Sequence, residues 1–370
     1  MSAAAGRRLD CDLLRVLAMA GVVFLHTAAD ALRQPIGPLW HFANLITSLA
    51  TAAVPLFFML SGALLLGQDQ TASLDTLFRR RLPKLLAPLL AWSAVAILLT
   101  GLMEGPQAAV NKLIPLLNTP VLVPYWFLYA LVPIYLISPF LKRMADGLTD
   151  AHWNYLVGLW LVVTVGWNTL YDLAPAGAWK TALTVHWTLN LNFVGGYVGY
   201  FLLGARLARL EKLPRRGALW GVVLATTALI SAGTLWLTGS TGAYDERMKS
   251  YVHIFTAVLS TALFLLVRAD TEHRSSGRLL TALSSLSFGV YLVHPLAIAF
   301  WRLVWPAWLP ALDTIPGLCL TYLLSLLGSL LGIWAVASLR PLCWVFTGQR
   351  FDEACRTCNL FALLGRKERT

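Results

Sequence analysis

Runs of apolar residues, each about as long as the ~20-residue helix that crosses a bilayer, recur along the whole chain. Charged residues make up only 13% of the 370 residues. A soluble domain carries roughly 25%, so much of this surface must face lipid. A helix satisfies its own backbone hydrogen bonds in lipid. The sequence therefore predicts an all-α polytopic membrane protein, a bundle of about ten transmembrane helices.

Basic residues fall mainly in alternate loops. The predicted spans are residues 13–32, 42–66, 85–103, 124–141, 154–173, 187–208, 217–238, 251–267, 281–303 and 316–337. With the N-terminus in the cytoplasm, 23 of the 29 Lys and Arg residues lie on the cytoplasmic side. This asymmetry follows the positive-inside rule and predicts two cytoplasmic termini. The net charge of +11 then needs no nucleic-acid partner. The partner that the apolar spans require is the lipid bilayer.

We expect one membrane domain over residues 1–340, followed by a basic cytoplasmic tail over residues 341–370. The tail carries the C-x-x-C pair Cys355 and Cys358 without a histidine. A structural zinc site needs four ligands, so we predict free thiols and no metal. Three small-xxx-small glycine pairs predict close helix packing. These are Gly195 with Gly199, Gly217 with Gly221, and Gly328 with Gly332.

The first helix carries ionisable residues that are expensive in a membrane and therefore candidates for function. Arg15 and His26 are eleven residues apart, about three turns, so they share a face and lie roughly 16 Å apart along the axis. Asp12 precedes Arg15 by three residues, a spacing that suits an ion pair. Asp30 follows His26 by four residues and would reach its ring if the helix continues.

A histidine at this depth can take a proton from an attacking hydroxyl or carry an acyl group itself. The structural alternative is a buried histidine bonded to a neighbouring helix, with Arg15 extending to lipid phosphates.

Before the third span, Arg79, Arg80, Arg81 and Lys84 form a basic cluster. Arg81 and Lys84, one turn apart at a predicted helix N-terminus, suit a phosphate. Ordinary positive-inside topology is the alternative.

Six short blocks, in order from Asp12 to about Leu296, resemble the acyltransferase-3 family of bacterial inner-membrane O-acyltransferases. Within this family, the chain is similar to the branch that contains the enterobacterial common antigen O-acetyltransferase and exopolysaccharide acetyltransferases. The residues that carry the blocks are Asp12, Arg15 and His26; Ser61 and Gly62; Arg81, Lys84 and Pro88; Trp126 and Pro139; Gly204; and Tyr291 and His294. The chain departs from the family pattern at Lys84, where a second Arg is usual, and at Tyr125, where many members have His.

The resemblance implies a multi-pass enzyme of the bacterial inner membrane. It would move acetyl from cytoplasmic acetyl-CoA to a hydroxyl of a cell-surface glycan or its lipid-linked precursor. By resemblance, His26 with Arg15 and Asp12 forms the catalytic group, and Arg79 to Lys84 hold the CoA. The lining candidates are Asp30, Ser61, Trp126, Tyr291 and His294. The alternatives are a succinyl or longer acyl donor, or a transporter or flippase, which would predict an internal repeat. The oligomeric state stays open.

Overall fold

The computed structural model describes residues 8–186, 188, 195–271, 274–304 and 313–357, and most of them are helical. In chain order the α-helices of this part are α1 (Leu9–Thr27), α2 (Pro38–Ala50), α3 (Ala53–Leu65), α4 (Leu74–Thr76), α5 (Leu82–Glu104), α6 (Pro106–Leu113), α7 (Trp126–Gly147), α8 (Asp150–Trp160), α9 (Trp167–Leu173), α10 (Ala178–Ala182), α11 (Gly196–Ala208), α12 (Arg216–Thr241), α13 (Ile254–Thr271), α14 (Arg278–Val304), α15 (Ile315–Ala337), α16 (Arg340–Thr347) and α17 (Phe351–Thr357). The described residues form no β-strand, only an isolated bridge between Arg8 and Ser275.

Eight helical stretches in the described part are long and apolar enough to cross a bilayer. They are Pro38–Leu65, Leu74–Glu104, Val123–Gly147, Asp150–Leu173, Arg216–Thr241, Arg247–Thr271, Arg278–Val304 and Ile315–Ala337. The predicted all-α polytopic membrane protein is confirmed.

Two predicted spans fall outside this set of eight. The span at 13–32 corresponds to α1, whose 19 residues include Asp10, Asp12 and Arg15. The span at 187–208 is described as a helix only over Gly196–Ala208, because residues 187 and 189–194 lie outside the described part. A total of ten spans therefore stays a prediction, as does the side on which the termini lie.

The chain divides into two compact units, each built from separate segments. Unit 1 comprises Met1–Thr27, Ser73–Pro139 and His273–Thr370, and unit 2 comprises Ala28–Ala72 and Phe140–Glu272. In unit 1, α14 and α15 pack closely, since a Cβ added at Gly289 would overlap the Ile333 side chain. The helices α1, α14 and α15 form the core of unit 1, and its second contact region joins α5 to α16.

In unit 2, α3 and α11 make the tightest helix crossing. A Cβ at Gly62 would fall on the Phe201 backbone, and a Cβ at Gly204 would fall on the Met59 backbone. Glycine is required at both positions because two helix backbones approach each other directly. The family-like blocks around Ser61 and Gly204 thus meet at a packing contact within this unit.

The predicted glycine pairs are only partly packing sites. Gly199 does pack closely, with the Trp160 indole where its Cβ would be. Cβ atoms at Gly217, Gly221 and Gly332 would meet nothing within 4 Å. A small-xxx-small spacing puts both residues on one face, but it does not say whether another helix covers that face.

Gly204→Ala should lower the free energy of unfolding by about 1–3 kcal/mol, because the new methyl group forces α3 and α11 apart. Gly221→Ala is the matched control, since it also lies in a helix but has space for the methyl group. Alanine should be neutral or stabilising there, because it favours the helix over glycine. Thermal unfolding of the purified protein in detergent measures both, and equal stability of the two variants would contradict the packing argument.

Candidate functional site

The candidate site is built along the contact between α1 and α14 in unit 1. Arg15 of α1 contacts Ser284 of α14, and His26 of α1 contacts His294 of α14. The two helices therefore run parallel. The eleven-residue step on α1 and the ten-residue step on α14 correspond to roughly 16 Å and 15 Å of helix. The predicted shared face of Arg15 and His26 is confirmed, and it faces α14.

At the N-terminal end of this contact lies a hydrogen-bonded group that we call the carboxylate station, formed by Asp12, Arg15, Ser276 and Ser284. The Arg15 Nη1 donates to Ser284 Oγ at 2.9 Å, and Ser284 Oγ donates to Asp12 Oδ1 at 2.6 Å. Ser276 Oγ donates to Asp12 Oδ2 at 2.7 Å. The predicted pair of Asp12 and Arg15 is present at 3.6 Å. Asp12 is only 2% exposed, so these bonds stabilise a carboxylate that burial would otherwise strongly destabilise.

At the C-terminal end of the α1–α14 contact lies the histidine station, formed by His26 and His294, whose ring centroids lie 5.4 Å apart. His294 is fully buried, and its Nδ1 lies 2.6 Å from the Tyr291 carbonyl oxygen. A carbonyl oxygen only accepts, so Nδ1 carries the proton and Nε2 carries the lone pair. No described residue hydrogen-bonds this Nε2. His294 therefore presents an unprotonated ring nitrogen that has no hydrogen-bond partner among the described residues.

Tyr291 supports the histidine station and does not line it with its hydroxyl group. The Tyr291 hydroxyl donates to the Pro124 carbonyl, and the Tyr125 hydroxyl donates to the Leu292 carbonyl at 2.7 Å. These reciprocal bonds tie the start of α7 to α14. Tyr125, which departs from the family pattern, is fully buried in this clamp. Trp126 follows it as the half-buried first residue of α7.

The basic cluster lies within a continuous helix, so the predicted helix N-terminus at Arg81 is wrong. The helix begins after Ser73, whose hydroxyl accepts from the Thr76 amide at 3.3 Å. A π-helical turn, Leu77–Arg81, then carries the chain into α5 without a break. Pro83 is tolerated there because it lies in the first turn of α5. The helix dipole at residue 73 therefore does not act directly on the cluster.

Within the cluster, the side chains differ in their surroundings. Arg79 is exposed and pairs with Asp75 at 2.8 Å, and Arg80 is also exposed. Arg81 is half-buried, and Lys84 is about half exposed. Arg81 and Lys84 remain one turn apart in the helix. They are therefore the members best placed to bind one anionic group together.

Two lining candidates, Asp30 and Ser61, belong to unit 2. The predicted helical reach of Asp30 to His26 is wrong, because α1 ends at Thr27. Asp30 instead precedes the 3₁₀ turn Ala31–Arg33 and pairs with Arg33 at 3.4 Å on the surface. Ser61 lies half-buried in α3, beside the close contact at Gly62.

Sequence reasoning missed Ser276 and Ser284, which hold Asp12, and Arg302 near the end of α14. Arg302 Nη2 donates to the Thr27 carbonyl at 3.5 Å and so caps the C-terminal end of α1 beside His26. One signal was present: Ser284 precedes His294 by ten residues, close to the interval between Arg15 and His26. Serine is too common in helices for that spacing to stand out alone.

A sequence model of the family described as an acyltransferase domain, the acyltransferase-3 family, matches residues 8–334. This match covers most of the 370 residues. The chain belongs to the acyltransferase-3 family. It is a multi-pass membrane acyltransferase, and this assignment favours the predicted enzyme over the alternative of a transporter or flippase. Comparisons with curated proteins and with solved structures gave no match. The site residues of this acyltransferase therefore rest on its own geometry.

Ser284→Ala should remove the hydroxyl that accepts from Arg15 and donates to Asp12. We expect a loss of about 1–3 kcal/mol in the free energy of unfolding, because buried polar groups lose a partner. Ser287→Ala is the matched control on α14, since Ser287 is equally buried but donates only to the Ser284 carbonyl of its own helix. Thermal unfolding should separate the two variants. Equal losses would mean that Ser284 does not link Arg15 to Asp12.

Proposed function

We propose that this membrane acyltransferase is an O-acetyltransferase, which moves acetyl from cytoplasmic acetyl-CoA to a hydroxyl of a cell-surface or exported glycan. We also propose that it resides in the bacterial inner membrane. The observation that carries the proposal is the alignment of the carboxylate station and the histidine station along one α1–α14 contact. Two such groups at different depths suit an enzyme that takes its donor from one side of a membrane.

Arg81 and Lys84 are proposed to hold the diphosphate of CoA, with Arg79 and Arg80 adding positive potential at the surface. Lysine offers a point charge where a second arginine would bind two oxygens, so binding at Lys84 depends more on charge than on geometry. Arg15 belongs to the same end of unit 1. It is held by Ser284 and Asp12 in one orientation, so it can meet the donor with little loss of side-chain entropy.

His26 is proposed to accept the proton of the acceptor hydroxyl as its oxygen attacks the thioester carbonyl. The carbon–sulfur bond then breaks, and the proton passes to the CoA thiolate as it leaves. His294 has an unprotonated Nε2 in the same station, which favours sharing of the proton between the two rings. The alternative route, in which His26 carries the acetyl group transiently, uses the same residues and two successive transfers.

Arg302 donates to the carbonyl of Thr27, the residue after His26, and so places a cation at the C-terminal end of α1. It offers a guanidinium close to the place where negative charge develops on the attacked carbonyl. We propose it as the charge-stabilising residue in preference to Ser61, which lies in unit 2, and to Tyr291, whose hydroxyl already donates to Pro124. Trp126 stays a candidate for the lining of the site.

His26→Ala should lower the rate of acetyl transfer by about 100- to 10,000-fold, the usual contribution of a general acid–base group. His294→Ala should also reduce kcat while leaving the KM for acetyl-CoA near its wild-type value, since it lies at the far station. His152→Ala is the control, because His152 is exposed and bonds only to Thr149. Radiolabelled acetyl-CoA and purified protein provide the assay. Undiminished transfer by His26→Ala would contradict the assignment.

A strain that carries only the His26→Ala protein should lose one acyl modification from its envelope glycans, as a deletion strain does. Mass spectrometry of those glycans identifies the acyl group and the acceptor together. Loss of an acetyl group supports the proposal, whereas loss of a succinyl or longer group would establish the alternative donor. Unchanged glycans in both strains would exclude a glycan acceptor.

A further inference from the structure

The tail beyond the family-matched residues docks beside the basic cluster of α5. The family match ends at residue 334, and α16 and α17 follow at Arg340–Thr347 and Phe351–Thr357. Both helices lie in unit 1, and α16 packs on α5. The tail is therefore a folded part of the unit that holds the candidate donor site.

The docking point is a gap in the backbone hydrogen bonds of α5. In an α-helix the Lys84 carbonyl would accept from residue 88, but that residue is Pro88 and has no N–H. Gly348, which ends α16 with φ +68°, lies against this carbonyl. A Cβ at Gly348 would overlap the Lys84 oxygen. Glycine is thus needed there twice, for the left-handed backbone and for the close approach.

The residues on either side of Gly348 are bonded to two different helices. The Trp92 indole N–H of α5 donates to the Phe346 carbonyl at 3.0 Å, and the two rings lie 5.2 Å apart. The Gln349 side-chain amide donates to the Ser285 carbonyl of α14. Ser285 is the neighbour of Ser284 in the carboxylate station. The segment Phe346–Gln349 therefore bridges the helix of the basic cluster and the helix of both stations.

The bridge is also held internally. The buried Cys343 thiol donates to the Gln349 carbonyl at 3.4 Å, and the Thr347 hydroxyl donates to the Cys343 carbonyl at 2.5 Å. Burial raises the pKa of the Cys343 thiol, so it stays protonated and can donate. On α17, Glu353 Oε2 lies 3.9 Å from Lys84 Nζ, with both side chains about half exposed. The tail thus supplies a carboxylate counter-ion to the same lysine whose backbone it contacts.

We propose that the segment Arg340–Thr357 is a working part of the donor site, in which Gly348 and Gln349 position Lys84 for the diphosphate of the acyl donor. Glu353 is the counter-ion that the diphosphate displaces. The proposal rests on the proposed function for the site around Lys84. Gly348 and Gln349 are positioning residues, since they act through Lys84 and α14.

The test measures acetyl-CoA binding to the full-length purified protein by calorimetry, together with kcat and KM for transfer. Gly348→Ala should weaken acetyl-CoA binding about tenfold and raise the KM similarly, with kcat nearly unchanged, because the methyl group moves Lys84 and not the histidines. Gly242→Ala is the matched control. Gly242 also ends a helix with a left-handed backbone, φ +73°, but a Cβ there meets nothing within 4 Å.

Glu353→Gln should change acetyl-CoA binding in the opposite direction. Removing the competing carboxylate should tighten acetyl-CoA binding by about two- to fivefold, the scale of an exposed ion pair. Asp352→Asn, a change at the neighbouring exposed carboxylate, should leave binding at the wild-type value. A merely structural tail would not produce tighter binding on the loss of a charge.

The outcomes separate the two proposals. Wild-type protein that does not bind acetyl-CoA overturns the proposed function. Wild-type protein that binds, with Gly348→Ala and Glu353→Gln both binding equally well, overturns the role of the tail alone. If Gly348→Ala does not fold, Glu353→Gln decides: tighter binding supports the role, and unchanged binding overturns it.

Discussion

The burial of the Asp12 carboxylate is the constraint on which the rest of unit 1 depends. A buried carboxylate is stable only with hydrogen-bond donors, which Ser276 and Ser284 supply, and with a cation, which Arg15 places 3.6 Å away. Both donors come from the α14 side, so α1 cannot pack in another register without losing them. Because the helices run parallel, the register set at the carboxylate station also sets the register at the histidine station, about three turns away. The contact between His26 and His294 is a consequence of the bond between Asp12 and Ser284.

The sequence was most informative where a strong physical penalty was at stake. Arg15 and His26 are costly in a membrane, and the helical period alone put them on one face, which the contacts with α14 confirm. The partner helix could not be predicted, because Arg15 and Ser284 are 269 residues apart and serine is an ordinary helix residue. The roles of these side chains in catalysis stay predictions. Geometry establishes only that they meet.

The two predictions that were wrong, for Arg81 and for Asp30, concern the places where helices begin and end. Pro83 looks like the first residue of a helix, but a π-helical turn continues the helix through the three arginines from a start at Ser73. At the other end of the site, Ala28 and Ala29 are good helix formers, so nothing local predicted that α1 would end at Thr27. Asp30 was placed beside His26 for that reason. The division into a membrane domain over residues 1–340 and a basic cytoplasmic tail over residues 341–370 stays a prediction. The described helices of the tail pack in unit 1 through a glycine contact that no pattern within the tail reveals.

A fixed interval between the two stations has a consequence for acyl selectivity on the proposed function. The stiffness of α1 and α14 sets the depth at which a CoA thioester meets His26, so a longer acyl chain must extend beyond the histidine station. The side chains that surround that end would then decide which acyl group fits. Among the described residues, α15 brings Tyr322 to the same stretch of α1: its ring centroid lies 5.3 Å from that of Phe24, two residues before His26. Its hydroxyl donates to the Ala20 carbonyl at 3.4 Å, so the ring is held in place against α1. Residues two apart in an α-helix point about 200° apart, so Tyr322 covers the face of α1 opposite His26. The side chains that limit the acyl chain therefore lie on the α14 face of the helix, where His26 meets His294.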